Sequence, residues 1–276
     1  MTVRASPSAP PRARAFAGPV AVLMYHAIEP AGADSDADAH YTVSPTAFEA
    51  QLDAFAALGR APRSVRDLLA EAAEGGPRGP AVAITFDDGH ASNAAAAERL
   101  IARGAGADFF VNPALVGHRH RLSWAELRAM SAAGLSIQSH GHTHDYLDGM
   151  TEDGVADTLG RSKAAIEDAL GAPVTLFAPP GGRMHPALDR LAEAAGYRAL
   201  CTSRSGTWTP GRGDAAIPRL AVLASSDLER VRRWAQADPL LIARARLRGG
   251  ALDAMKRLLG NGTYERLRTA ALGRRA

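Results

Sequence analysis

Residues 81–86 read Ala-Val-Ala-Ile-Thr-Phe, an apolar and β-branched run with no polar alternation. A strand of this kind is buried on both faces, so it belongs in a parallel sheet covered by helices. The run stops abruptly at Asp87-Asp88-Gly89-His90. Adjacent carboxylates repel, and a cation or a shared proton is the usual reason for placing them side by side. Gly89 permits a sharp exit from the strand, and 91–103 then reads as a helix. By itself the pair also fits an ordinary acidic strand-to-helix turn. A second motif further along the chain decides against that.

The rest of the chain repeats the strand–helix alternation. Strands are expected at 19–25, 107–111, 135–138, 174–177, 197–201 and 217–222. Helices are expected from Ser44-Pro45 to Gly59, after Ser64, from Ser123-Trp124, at 151–170, near 186–195 and from Ser226. Six or seven short strands alternating with helices give an α/β fold with a parallel sheet. There is no dinucleotide fingerprint, and 276 residues suit a single closed or nearly closed barrel. The segment 29–40, rich in Asp, Ala and Gly, reads as a mobile loop over one face.

Charge divides the chain. Residues 239–276 carry nine Lys/Arg against two acids, a balance of +7, whereas the whole chain is +3 and residues 1–238 are therefore at −4. The expected organisation is a disordered leader at 1–18, a barrel at 19–238 and a basic helical tail at 239–276. Gly249-Gly250 and Gly260-Asn261-Gly262 would break that tail into short helices, with Leu252, Met255, Leu258 and Leu259 as an apolar stripe. A basic tail suits peripheral contact with an anionic membrane or a biosynthetic complex. It carries no aromatic interleaving for nucleic acid, which is not an expected partner. The leader lacks the apolar core of a secretory signal, and the expected location is cytoplasmic. Cys201 is the single cysteine, so a disulfide within the chain and a thiolate cluster are both excluded.

Ser139-His140-Gly141-His142-Thr143-His144 follows a predicted strand. His140 and His144 are four residues apart, about one helical turn, so both imidazoles can face one ion while His142 points away. Two imidazoles and a carboxylate with open positions make a catalytic rather than a structural metal site. His26, Asp87-Asp88, the histidine motif and Pro179-Pro180 all follow the carboxyl ends of predicted strands, the ends that share one face of a barrel. The isolated histidines at 40, 118, 120 and 185 read as ordinary core or surface residues.

Three ordered motifs, Thr85-Phe86-Asp87-Asp88-Gly89, Ser139-His140 through His144, and Phe177-Ala178-Pro179-Pro180-Gly181, resemble the polysaccharide deacetylase family. The resemblance runs from about Val20 to Val222. It implies a distorted (β/α)7 barrel and a metal-dependent hydrolase of N- or O-acetyl groups on sugars. It further implies that Asp88, His140 and His144 hold a divalent ion, zinc first among candidates, and that Asp87 is the catalytic base. Leu23-Met24-Tyr25-His26 and Ile217-Pro218-Arg219-Leu220 resemble the branch acting on poly-N-acetylglucosamine-type exopolysaccharides.

The chain also departs from the pattern. Ala178 stands where many relatives have an arginine, so Asp87 needs another orienting group, with Arg183 and Arg219 as candidates. Gly181 stands where an aromatic is common. No histidine follows His185, so the acid that many relatives supply from there must come from elsewhere; His26 is the expected donor, with His90 and His142 as rivals. Pro179, Pro180, Gly181 and Trp208 are the expected substrate contacts, although Trp208 fits a core position equally well. Two other readings stay open: an amidohydrolase of a non-sugar amide, and an inactive barrel that binds glycan.

Overall fold

The protein is described by a computed structural model covering residue 16 and residues 18–259, with side chains as far as residue 251. In chain order the elements are β1 (Val20–Tyr25), α1 (Pro45–Ala57), β2 (Ala61–Arg63), α2 (Val65–Ala73), β3 (Ala81–Phe86), α3 (Asn93–Ala102), β4 (Asp108–Val111), α4 (Trp124–Ala132), β5 (Ser136–Ser139), α5 (Glu152–Leu170), β6 (Leu176–Phe177), α6 (Leu188–Ala194), β7 (Ala199–Thr202), β8 (Thr207–Trp208), β9 (Ala216–Pro218), β10 (Leu220–Ala221), α7 (Leu228–Ala235) and α8 (Pro239–Leu259).

Every residue of β1 and β3 is buried, the two-faced burial that their apolar runs demand. The strands follow the order β10-β1-β3-β4-β5-β6-β7-β9, with parallel pairing along this path. β9 lies on β7 at one end of the path and β10 on β1 at the other. These two strands are consecutive in sequence and separated by Arg219 alone. One extended segment thus closes the sheet into a barrel of seven staves, the last of them shared between two neighbours.

Alternate side chains sort to the two sides of this wall, as strand geometry requires. Val20, Val22, Ala83, Phe110, Leu176 and Cys201 fill the lumen. Leu23, Ile84, Phe86, Phe109, Phe177 and Leu200 pack beneath the helices. The side chains of Ser44, Ser64, Ser123 and Thr151 cap α1, α2, α4 and α5, each worth about 1 kcal/mol.

Four expectations are corrected. β2 and the antiparallel β8 were not expected. The strand expected at 217–222 is split at Arg219. Gly249-Gly250 do not break the tail: α8 runs through them as one helix of 21 residues. A glycine costs about 1 kcal/mol in a helix, which the flanking Leu, Ala and Arg tolerate. The first turns of α8 dock through Leu241, Ile242 and Ala245, with Ile242 buried in the main core. The acidic segment 29–40 is tied down: Asp34 pairs with Arg119, Asp36 with Arg121, and Ser35 Oγ with His90 Nε2. The expected stripe at 252–259 and the break at 260–262 lie outside the described side chains and residues, as does nearly all of the leader. Among the described residues no helix is long and apolar enough to cross a membrane.

Candidate metal centre

β3 and β5 deliver the ligand set at their carboxyl ends. Asp88 Oδ1 lies 3.2 Å from His140 Nε2 and 3.1 Å from His144 Nε2, and one ligand atom from each residue falls within 4.8 Å of the others. Two donors each about 2.1 Å from a tetrahedral centre stand roughly 3.4 Å apart, so the set fits one ion. His140 Nδ1 sits 2.8 Å from the Ala178 carbonyl, which holds that nitrogen as the donor and leaves Nε2 for a metal. Burial works to raise the Asp88 carboxyl, but hydrogen bonds with His140 and His144 outweigh it and hold it well below the usual carboxylate range. The side chains of Asp88 and His144 remain about one-third exposed, so the centre is reachable from solvent.

The two histidines converge for a reason other than the one their spacing suggested. Residues 140–146 form no helical turn. Gly141 at φ +80 reverses the chain beneath His140, and His144 itself adopts φ +68. Asp88 is also left-handed, at φ +71. Such backbone costs a non-glycine residue on the order of 1–3 kcal/mol and clusters at functional sites. Asn112, at the end of β4, braces this loop by donating from Nδ2 to the Gly141 and His140 carbonyls. His142 points away, with Nε2 3.1 Å from Arg161 Nη2.

Asp87 is buried in the lumen, and Arg219 holds it through both oxygens at 2.6 and 2.8 Å. Arg219 is fully buried; it also donates to Thr85 Oγ1 and the Thr202 carbonyl, each at 3.2 Å. Burial raises the Asp87 carboxyl, but the charges of Arg219 and then His140 bring it below its ordinary value. Arg183, the other candidate, lies elsewhere, 3.4 Å from Asp148.

His26 follows β1 and lies within the electrostatic reach of Asp88, Asp87, His140 and Arg219. Its Nδ1 is buried with no hydrogen-bond partner, and its ring packs 4.5 Å from that of Tyr41. Burial lowers its basicity, and the two aspartates only partly restore it. His90 is engaged at both nitrogens, by Ser35 and Ser92, and anchors the acidic loop.

Pro180 packs beside Gly141, and Gly181 adopts φ +61 at the rim. Trp208 corrects the expectation of an acetyl pocket. It is 3 % exposed, pairs with Val20 at the amino end of β1, and donates to Asp214. It therefore plugs the barrel at the end opposite the metal ligands. Sequence reasoning missed Asn112 and Tyr146. An asparagine at a strand end is a weak signal, and Tyr146 carries none until the fold brings it to Gly181.

Residues 74–200, which hold all the ligand and Asp87 motifs, match the family model for polysaccharide deacetylase. YxkH of Bacillus subtilis, named as a polysaccharide deacetylase, is 29% identical over 147 residues, 53% of this chain and 53% of that protein. The bifunctional xylanase/xylan deacetylase of Cellvibrio japonicus is 30% identical over 142 residues, 51% of this chain and 21% of that protein. The chain thus spans about half the length of the first relative and far less of the second. Among solved structures, IcaB from Ammonifex degensii superposes with a TM-score of 0.69 at 27% identity, covering 79% of this chain and 97% of that one. The Streptococcus pyogenes deacetylase PplD, solved in complex with acetate, superposes at 0.71 and 23% identity, covering 78% and 96%. The barrel, its three motifs and these matches agree in likening residues 74–200, and the fold around them, to the polysaccharide deacetylase family.

Proposed function

We propose that this chain is a metal-dependent hydrolase that removes acetyl groups from an N-acetylated sugar, glycan or exopolysaccharide precursor, releasing acetate and the free amine. The observation that carries this reading is the division of labour between adjacent aspartates. Asp88 converges with His140 and His144, whereas Asp87 is gripped from behind by Arg219. A divalent ion held by Asp88, His140 and His144, with zinc as the first candidate, would polarise the acetyl carbonyl and make water nucleophilic near neutral pH. Asp87 takes the proton of the attacking water, and the Arg219 fork keeps its carboxylate ionised and fixed in orientation. The departing amine needs a proton, and His26 delivers it; an imidazole made less basic by burial is a ready donor once protonated. Pro179, Pro180 and Gly181 wall the substrate side, and the Gly181 N–H serves the oxygen that gains charge.

The exopolysaccharide branch rests on the Leu23–His26 and Ile217–Leu220 stretches. Acetate release from a panel of acetylated chito-oligosaccharides, xylo-oligosaccharides and non-sugar amides, with and without chelator, tests the reading. Chelator-sensitive release from the chito-oligosaccharides is expected, and release from the non-sugar amides alone would overturn it. For the basic tail we propose peripheral docking on an anionic membrane. Leu240 and Leu247 are 70 % and 76 % exposed on the side of α8 away from buried Ile242, with arginines at 244 and 248 beside them. Co-sedimentation with phosphatidylglycerol vesicles but not phosphatidylcholine vesicles is the expected result.

A further inference from the structure

Five large hydrophobic side chains are exposed among the described residues, and Tyr146 is the aromatic one, at 45 %. It lies two residues beyond His144, with the two ring centroids 6.3 Å apart. Its position is fixed from two sides. One edge rests on Gly181, where a Cβ would stand 2.7 Å from Tyr146 Cε1. One face is covered by the Arg183 guanidinium, 4.3 Å from the ring centroid. That guanidinium is itself buried and paired with Asp148. The ring's exposure therefore falls on its other face, at the same rim where Asp88 and His144 remain open.

An aromatic face held rigid beside a metal triad matches what a saccharide needs. The axial C–H bonds of a pyranose form an apolar face that lies against the electron-rich face of an aromatic ring. A stacked cation on the far side fixes the ring before substrate arrives, so little side-chain entropy is lost on binding.

We propose that Tyr146 is the stacking platform for a pyranose ring of the substrate, and that position 181 is glycine because this ring occupies the space a side chain would fill. The proposal rests on the carbohydrate deacetylase reading above. Tyr146 acts through substrate binding, and Gly181 and Arg183 position it.

Steady-state kinetics of the metal-loaded full chain test the platform. The substrates are the chito-oligosaccharide best cleaved by the wild type and 4-nitrophenyl acetate, which has no sugar ring. Tyr146→Ala is expected to raise KM for the oligosaccharide, so that its kcat/KM loss exceeds the loss on 4-nitrophenyl acetate by about tenfold, the effect of removing one good aromatic contact. Metal content should be retained, and Tyr146→Phe should recover most of the loss. Gly181→Ala should raise KM for the oligosaccharide by displacing the ring, on top of a loss common to both substrates from its left-handed backbone, and that KM increase should vanish when Tyr146 is already alanine. Equal losses on both substrates would show that the ring merely braces the His144 loop, and no loss on either would remove it from binding; each result overturns the platform. A wild type that releases acetate from non-sugar amides but from no carbohydrate would overturn the deacetylase reading and the platform together.

Discussion

Arg219 offers the sharpest test of how this barrel is built. Replacing it by methionine keeps the volume but removes the cation. Asp87, 3 % exposed, would then be buried without a counter-charge. Losing one partner of a buried pair costs about 3–5 kcal/mol, and the Thr85 and Thr202 acceptors lose their donor as well. Against a typical domain stability of about 5–15 kcal/mol, Arg219→Met should be severely destabilised. Adding Asp87→Asn removes the stranded charge. The double variant should therefore be more stable than Arg219→Met alone, with a coupling energy of about 1–3 kcal/mol. Urea unfolding of the four proteins, extrapolated to water, measures this directly. Additive losses, with no recovery in the double variant, would refute the claim that the pair is energetically linked. Arg219→Lys separates charge from geometry: a point charge cannot reproduce the two-pronged grip, so turnover should fall although the charge remains.

Asp87→Asn should keep the ion by elemental analysis and lose about 10²–10⁴-fold in turnover, whereas His140→Ala should lose the ion. His26→Ala should retain the ion and lose turnover on an amide, with a smaller loss on 4-nitrophenyl acetate, whose leaving group needs no proton; His90→Ala, away from the chemistry, should keep its activity, and the reverse pattern would exchange their roles. Burial lifts the Asp108 carboxyl to about 6 in spite of hydrogen bonds from Ser136 and the amides of Val65 and Arg66. Against an unfolded value of about 3.9, its stabilising effect is complete below about pH 4 and lost as pH rises through about 6, roughly 3 kcal/mol in all. Asp108→Asn should flatten that part of the stability–pH curve, and an unaltered slope would assign it to another group.

The parts of the fold that were legible in the sequence are those with long, consistent signals. β1 and β3 announce themselves as six-residue apolar runs, and α1 and α2 by a serine cap before an apolar face. β2 and β8, three and two residues long, carry no period to read. The ligand pair was legible by type and order, yet its local geometry was misjudged, because left-handed backbone at His144 is a product of its tertiary setting. Arg219 and Arg183 were indistinguishable as partners for Asp87. The pairing spans 132 residues and depends on which strand completes the barrel. Trp208 read equally well as pocket or core, and only the register with Val20 decides.

The split last stave has a consequence for the order in which competence is acquired. Asp88, His140 and His144 come from β3 and β5, neither of which borders the seam between β7 and β1. Arg219 sits within the seam, at the point where the closing segment passes from one neighbour to the other. A chain with the seam unzipped would still own its full ligand set but would hold Asp87 without its grip. Metal content and turnover therefore report on different stages of assembly, and a preparation can be fully loaded yet largely inert. Closing the seam is the step that arms the base.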